Sequence, residues 1–306
     1  MAEVATLRIL AINFIGLIIT SVIFILHRYF MSPVHVVFLC NDESLMKPLH
    51  PHERTISTKT RSVTALAIVM VIIVVDISTY WCSPSEGNKS NDDEIVLSIG
   101  KIKIKAWVTR LCNRVIIAIG GFLLNEFMLN LIKCSVGELR PNFLTQCQPD
   151  YSKANCSAGY VTSDICTQHV PDAERFSFPS GVAQASFYGM TVIVLYIHYT
   201  IYSRKFVLIL TLIELIPITL ALVYSCYMIT IYLHFWYDVL AGFIFGVMLG
   251  WLTIYILLNL PEDEQDVQHA RYHQQFLLQQ IDYKASLDYE YEKTLNEQLK
   301  SLLENK

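Results

Sequence analysis

Lys133-Cys134-Ser135-Val136-Gly137-Glu138-Leu139-Arg140-Pro141 sits where a long apolar run gives way to a polar loop. Two cations seven residues apart at a membrane-water boundary are expensive to hold unless something anionic meets them. Arg offers a rigid fork of donors suited to phosphate oxygens, and Lys a compact point charge. Pro141 is expected to end any helix at Arg140 and to fix where the guanidinium points. The plainer reading is a pair of cations snorkelling from a helix end.

The bulk numbers fix the class of protein. Of 306 residues, 53% are hydrophobic and 16% charged, and the mean hydropathy is +0.41. Those values exclude an ordinary soluble globule and fit a multi-span membrane protein. A net charge of -4 and a pI near 6.1 give no sign of nucleic-acid binding. Eight Cys are too few for a disulfide scaffold. Four of them, Cys134, Cys147, Cys156 and Cys166, fall in one loop, which suits an oxidising compartment. Their pairing is not readable from spacing.

Working outward, the apolar runs predict an all-α bundle of six transmembrane helices at about 9–29, 62–82, 111–132, 180–200, 206–227 and 237–260. The first has a long apolar region with no small-residue cleavage site after it, so it reads as a retained helix. Asp76 lies inside the second span and is expected to face the bundle and cap a neighbour. Gly120-Gly121, and Gly242, Gly246 and Gly250 at four-residue spacing, predict close helix packing. Lys101, Lys103 and Lys105 alternate, as in a short surface strand. Residues 31–61, 83–108 and 134–178 read as polar loops. Residues 1–260 form one membrane domain. Residues 261–306 form a polar cytosolic tail, with Phe276, Leu277, Ile281, Leu295, Leu299 and Leu302 near helical spacing.

Six spans put both termini on one side. Ser203-Arg204-Lys205 is a short basic turn of cytoplasmic type. Loops 31–61, 134–178 and 228–236 then share the outside or the lumen. Sequons occur at Asn88 and Asn155 on opposite sides, so both cannot be glycosylated, and Asn155 in the Cys-rich loop is the better candidate.

This topology brings three segments to one face. Lys133–Pro141 leaves the third span. Phe178-Pro179-Ser180-Gly181 enters the fourth and presents a hydroxyl and backbone N–H groups at a helix N-terminus, a natural anion site. His234-Phe235-Trp236-Tyr237-Asp238 enters the sixth, with His and Asp at i and i+4. An Asp so placed can hold one imidazole nitrogen and leave the other basic.

On these residues the chain resembles the lipid phosphate phosphatases, the integral-membrane branch of the type 2 phosphatidate phosphatase superfamily. The likeness extends to Cys40-Asn41-Asp42-Glu43-Ser44, Leu139-Arg140-Pro141-Asn142-Phe143 and Cys147–Lys153, and covers roughly residues 10–260. It implies phosphate binding by Lys133, Arg140, Ser180 and the Gly181 amide. It implies a nucleophilic His234 that forms a phosphohistidine, oriented by Asp238. It also implies hydrolysis without metal or cofactor, at the extracytoplasmic face of the plasma membrane or the endoplasmic reticulum. The implied substrates are phosphatidate, lysophosphatidate and sphingoid or ceramide phosphates. Homo- or hetero-oligomers with family members are a further implication.

Three family positions depart from the pattern. Val182 stands where the family has the general-acid His, and Tyr227 and Met228 where it has Ser and Arg. A positioned acid contributes about 10²–10⁴-fold, and a charge-assisted hydrogen bond about 1.5–3 kcal/mol. Losing both predicts turnover lower by about three to six decades if the two add. His169, Glu174 and Arg175, just before the second motif, are the residues that could stand in. The expectation is a catalytically impaired relative that still binds lipid phosphates. A working phosphatase with a displaced acid, and a structural or scaffold membrane protein, are the alternatives.

Overall fold

The computed structural model describes residues 2–30, 34, 36–40, 42–48, 53–82, 95–99, 102–153, 156, 159–162, 165–201 and 206–259. The sequons at Asn88 and Asn155, the Ser203–Lys205 turn and the 261–306 tail lie outside the described residues. In chain order the elements are α1 (Ala2–Phe30), β1 (Phe38–Leu39), α2 (Glu53–Cys82), β2 (Ile95–Ile99), β3 (Ile102–Lys105) and α3 (Ala106–Val136). There follow α4 (Phe143–Cys147), β4 (Tyr160–Val161), α5 (Gly181–Ile201), α6 (Val207–Thr230) and α7 (Trp236–Asn259).

Six of these helices, α1, α2, α3, α5, α6 and α7, are long and apolar enough to cross a membrane, so the fold is a six-span all-α bundle. The helix α5 is its axis. Of its most apolar stretch, 67% is buried, against 0% for that of α1. The axis is built by backbone proximity. A methyl group at Gly246 would lie 2.5 Å from the Gln184 carbonyl, and one at Gly242 would lie 2.7 Å from the Ser180 carbonyl. Only glycine lets α7 approach α5 so closely, the small-residue packing on which membrane helices rely. Asp76 joins α2 to two neighbours: its carboxylate accepts from Arg114 Nη1 at 3.0 Å and from the Tyr196 hydroxyl. Pairing satisfies a charge that the membrane interior would otherwise penalise. Gly121 abuts Thr253 and the Tyr188 hydroxyl.

One end of the bundle carries a small cap made of the first and third connecting loops. The strand β1 pairs antiparallel with β4. Cys40 is bonded to Cys156, and Cys147 to Cys166. Phe38, Leu45, Leu139, Phe143, Leu144, Val161 and Ile165 pack beneath them in a local apolar core. Cys134 forms no disulfide and is buried. The strands β2 and β3 form a separate antiparallel hairpin, the strand expected from the alternating lysines.

Three sequence expectations need correction. The loop at 31–61 is shorter, because α2 begins at Glu53 and takes in Arg54, Lys59 and Arg61. Its polar end is held inside the bundle. Arg61 lies 3.2 Å from Glu126, and Thr60 donates to the Tyr224 hydroxyl at 2.9 Å. The third span starts at Ala106, directly after β3, rather than near 111. Finally, Pro141 does not end that helix. Gly137, with φ +64°, closes it four residues earlier, donating its N–H to the Lys133 carbonyl at 3.0 Å. A left-handed glycine cap satisfies the last carbonyls without a proline. Lys133 therefore sits in the last helical turn, and Arg140 in the irregular stretch beyond it.

The glycine contact between α5 and α7 gives a direct test. Gly246→Val should force the two helices apart and cost about 1–3 kcal/mol, as overpacking does. A clear fall in the thermal midpoint of the detergent-solubilised chain is expected. An unchanged midpoint would contradict the close approach.

Candidate active site

All three segments singled out in the sequence meet beneath the cap. Lys133 Nζ reaches across to the segment that precedes α5, donating to the Phe176 carbonyl at 2.5 Å and lying 3.4 Å from the Ser177 carbonyl. Arg140, mostly buried, is fastened to the same segment. Its N–H donates to the Glu174 carbonyl at 3.0 Å, and its Nη1 lies 3.8 Å from Glu174 Oε2. Ser177 donates its N–H back to the Glu138 carbonyl at 2.9 Å. The stretch that leaves α3 and the stretch that enters α5 are thus laced together along their length.

The start of α7 joins through Asp238, which is fully buried. Asp238 Oδ2 accepts from the Ser177 hydroxyl at 2.6 Å and from the Phe235 N–H at 2.9 Å. His234 Nδ1 lies 3.4 Å from the same oxygen and 3.5 Å from Ser177 Oγ. The Asp238 carbonyl accepts from the Ser180 N–H at 3.0 Å, which docks the N-terminus of α5 on α7. Ser180 Oγ accepts from the Ala183 N–H at 3.3 Å, so this hydroxyl is also the cap of α5. Gly181 faces the Lys133 stem; a methyl group there would lie 3.6 Å from Lys133 Cε.

A carboxylate only accepts, so the proton of a neutral His234 ring belongs on Nδ1, beside Asp238, leaving a lone pair on Nε2. Burial pushes the imidazole down from 6.5 to about 4; the Asp238 bond opposes the fall, and the charges of Arg140 and Lys133 add to it. A neutral ring is the nucleophilic form of an imidazole.

The positions that depart from the family pattern also meet. Val182 and Met228 are fully buried and pack with Leu233 and Ile231 in one apolar cluster, edged by Tyr224. His234 is tethered to this cluster, its N–H donating to the Met228 carbonyl at 3.3 Å. Tyr227 is exposed and stacks on Tyr224. Where an acid and a cation would be expected, the chain has a filled hydrocarbon volume. The residues that could stand in are not part of this cluster. Glu174 faces Arg140, Arg175 lies over the Phe143 ring at 5.4 Å, and His169 is exposed.

Two members of the site were not anticipated. Ser177, three residues before Ser180, carries the shortest bond to Asp238; its place in the Ser-Phe-Pro-Ser run was the available signal. Glu138, inside the opening motif, accepts the Tyr237 hydroxyl at 2.5 Å. Burial raises its carboxyl above the usual range, against the opposing pull of that hydrogen bond.

With this geometry established, comparison with known proteins gives a consistent answer. Residues 114–262 match the PAP2 superfamily model, a range that takes in Lys133, Arg140, Ser180, His234 and Asp238. Those residues carry a PAP2 superfamily domain, and the likeness to phospholipid phosphatases supports the lipid phosphate phosphatase family. Among curated relatives it is 26% identical to phospholipid phosphatase 1 of Rattus norvegicus over 230 residues, 73% of this chain and 75% of the relative. It is likewise 26% identical to phospholipid phosphatase 2 of Mus musculus over 247 residues, 78% of this chain and 81% of the relative. The human phospholipid phosphatase 2 is 25% identical over 247 residues, 78% of each chain. No solved structure matches.

The depressed His234 value carries a sign that can be checked. Between pH 6.5 and about 4 the unfolded chain takes up a proton that the folded chain refuses. Stability therefore falls as pH drops through that window, while the ring stays neutral. Histidine-selective 15N NMR should show the His234 ring neutral at pH 5.5, and a midpoint near 6.5 would contradict the buried site.

Proposed function

We propose that this membrane protein binds lipid phosphate monoesters in the pocket shared by the ends of α3, α5 and α7, and that its turnover is strongly reduced. The observation that carries the reading is the Val182–Met228–Leu233–Ile231 cluster beside a fully assembled cationic and His–Asp site. Lys133, Arg140, Ser180 and the Gly181 amide would hold the phosphate oxygens. His234 Nε2 faces the phosphorus in this reading. Attack would form a P–N bond and break the ester P–O bond, and the departing lipid alkoxide needs a proton that Val182 cannot give. Phosphatidate, lysophosphatidate and sphingoid phosphates are the substrate class.

The site is read as extracytoplasmic because both disulfides lie in the cap above it, and disulfides persist in oxidising compartments. The plasma membrane is the favoured location, with the endoplasmic reticulum as the alternative. Residues 1–260 act as the membrane unit and 261–306 as a cytosolic tail. Association with itself or with family members would supply a route to function without turnover.

A second reading, a slow but working phosphatase, is favoured by the retained Ser177–Asp238–His234 arrangement. Purified full-length chain in lipid nanodiscs, presented with lysophosphatidate, separates the two. Binding weakened about tenfold or more by Arg140→Ala is expected, the scale of a lost charge-assisted bond. Phosphate release should lie about three to six decades below that of a relative carrying both missing groups. Release at a relative's rate, abolished by His234→Ala, would overturn the impaired reading in favour of the second.

A further inference from the structure

The helix α2 carries a buried ion pair for which phosphate binding by α3, α5 and α7 has no use. Arg61 Nη1 lies 3.2 Å from Glu126 Oε2 on α3, the Arg61 side chain 28% exposed and that of Glu126 8%. Thr60, beside Arg61 in the chain, donates to the Tyr224 hydroxyl of α6 at 2.9 Å, and Tyr224 edges the Val182–Met228 cluster. The early part of α2 is thus fastened beside the volume where the expected cation is missing. An ion pair this far from water is weak evidence of a stabilising role, because desolvation offsets most of the attraction.

The position of Glu126 on α3 links this pair to the pocket. Glu126 and Lys133 lie two helical turns apart on one face of the helix, an axial separation of about 10 Å. The interior beside this stretch is polar. Gln184, whose N–H donates to the Ser180 carbonyl at 2.9 Å, donates from Nε2 to the Asn125 carbonyl at 3.1 Å and to Asn125 Oδ1 at 3.0 Å. Both residues are fully buried, and Gln184 Oε1 and Asn125 Nδ2 have no hydrogen-bond partner among the described residues. Away from water a charge acts more strongly over a given distance. The charged groups that act on Lys133 are Arg140 and Asp238, from the site itself, and Arg61 and Glu126, from the α2–α3 pair.

We propose that Arg61 and Glu126 are positioning residues that set the positive field at Lys133, and with it the affinity of the pocket for phosphate monoesters. This rests on the phosphate-binding reading above and adds a fourth helix to it. Arg61 supplies from α2 part of the positive charge that Met228 does not provide. Glu126 holds the guanidinium in place and limits its field. The two side chains therefore act on a bound anion with opposite signs. Without Arg61, an uncompensated carboxylate repels the anion. Without Glu126, an uncompensated cation attracts it.

The test measures affinities of the full-length chain in nanodiscs for lysophosphatidate, with the matching monoacylglycerol as the same lipid without its phosphate. Arg61→Gln should weaken lysophosphatidate binding about tenfold, the scale of one charge about 10 Å away at an effective dielectric constant near 20. Glu126→Gln should strengthen it by a similar factor. Arg61→Lys, which keeps the charge, and the double variant Arg61→Gln/Glu126→Gln should both stay close to wild type. Monoacylglycerol binding should respond to none of them. A pair that only holds helices together would lower both affinities and the thermal midpoint in each single variant, and that outcome overturns the proposal. Lysophosphatidate affinity that is unchanged, or that shifts the same way in both single variants, also overturns it. Should Arg61→Gln not fold, Glu126→Gln decides alone, and no gain in affinity overturns the proposal. Weakening by Arg140→Ala with none by Arg61→Gln removes the pair and leaves phosphate binding standing. Wild type that binds lysophosphatidate no better than monoacylglycerol removes both readings.

Discussion

The buried carboxylate of Asp238 is the constraint from which the rest of the site follows. A fully buried charge is costly unless hydrogen bonds satisfy it. Asp238 Oδ2 takes a hydroxyl from the loop before α5 and an N–H from its own loop, and it lies against the His234 ring. Its carbonyl receives the first N–H of the α5 entry. Satisfying its Oδ2 and its backbone carbonyl therefore requires α5 and α7 to be in register at their site-facing ends. The glycines lower on α7 permit that register by letting the backbones touch. Packing of the span and geometry of the site are one problem, solved at two depths.

Around that hub the pocket is divided. On one side are Lys133, Arg140 and Glu138, bridged through the 174–177 backbone, and the neutral His234, which lies beside the Ser177 hydroxyl. On the other lie Val182, Met228, Ile231 and Leu233, dry and fully packed or nearly so. The boundary runs through His234 itself, whose backbone N–H is tied to the Met228 carbonyl. Well-packed hydrocarbon at Val182 and Met228 leaves no buried cation there to pair.

Much of this was legible in the sequence because membrane spans and helix-terminal motifs are local signals. The six apolar runs fall inside or within a few residues of the observed helices. The pairing of His234 with Asp238 followed from helical spacing. What escaped was set by distant partners. The true start of α2 depends on Glu126 and Tyr224, far along the chain. The end of α3 was assigned to Pro141 although Gly137 stops the helix first, because a left-handed glycine and a proline both read as terminators. Ser177 and Glu138 became visible only when Asp238 and Tyr237 were brought to them. The Cys40–Cys156 bond crosses two spans, beyond the reach of any spacing rule.

That bond has a topological consequence. The cysteines are 116 positions apart and the stretch between them includes α2 and α3 entire, so oxidation turns two membrane spans into a covalently closed ring. Cys156 can reach Cys40 only after α3 has been inserted, which orders biogenesis: three helices must cross before the ring can close. A single protease cut within the ring would then leave both fragments joined until the disulfide is reduced. The first span, which buries so little of itself, is held to the rest by chain connectivity more than by packing.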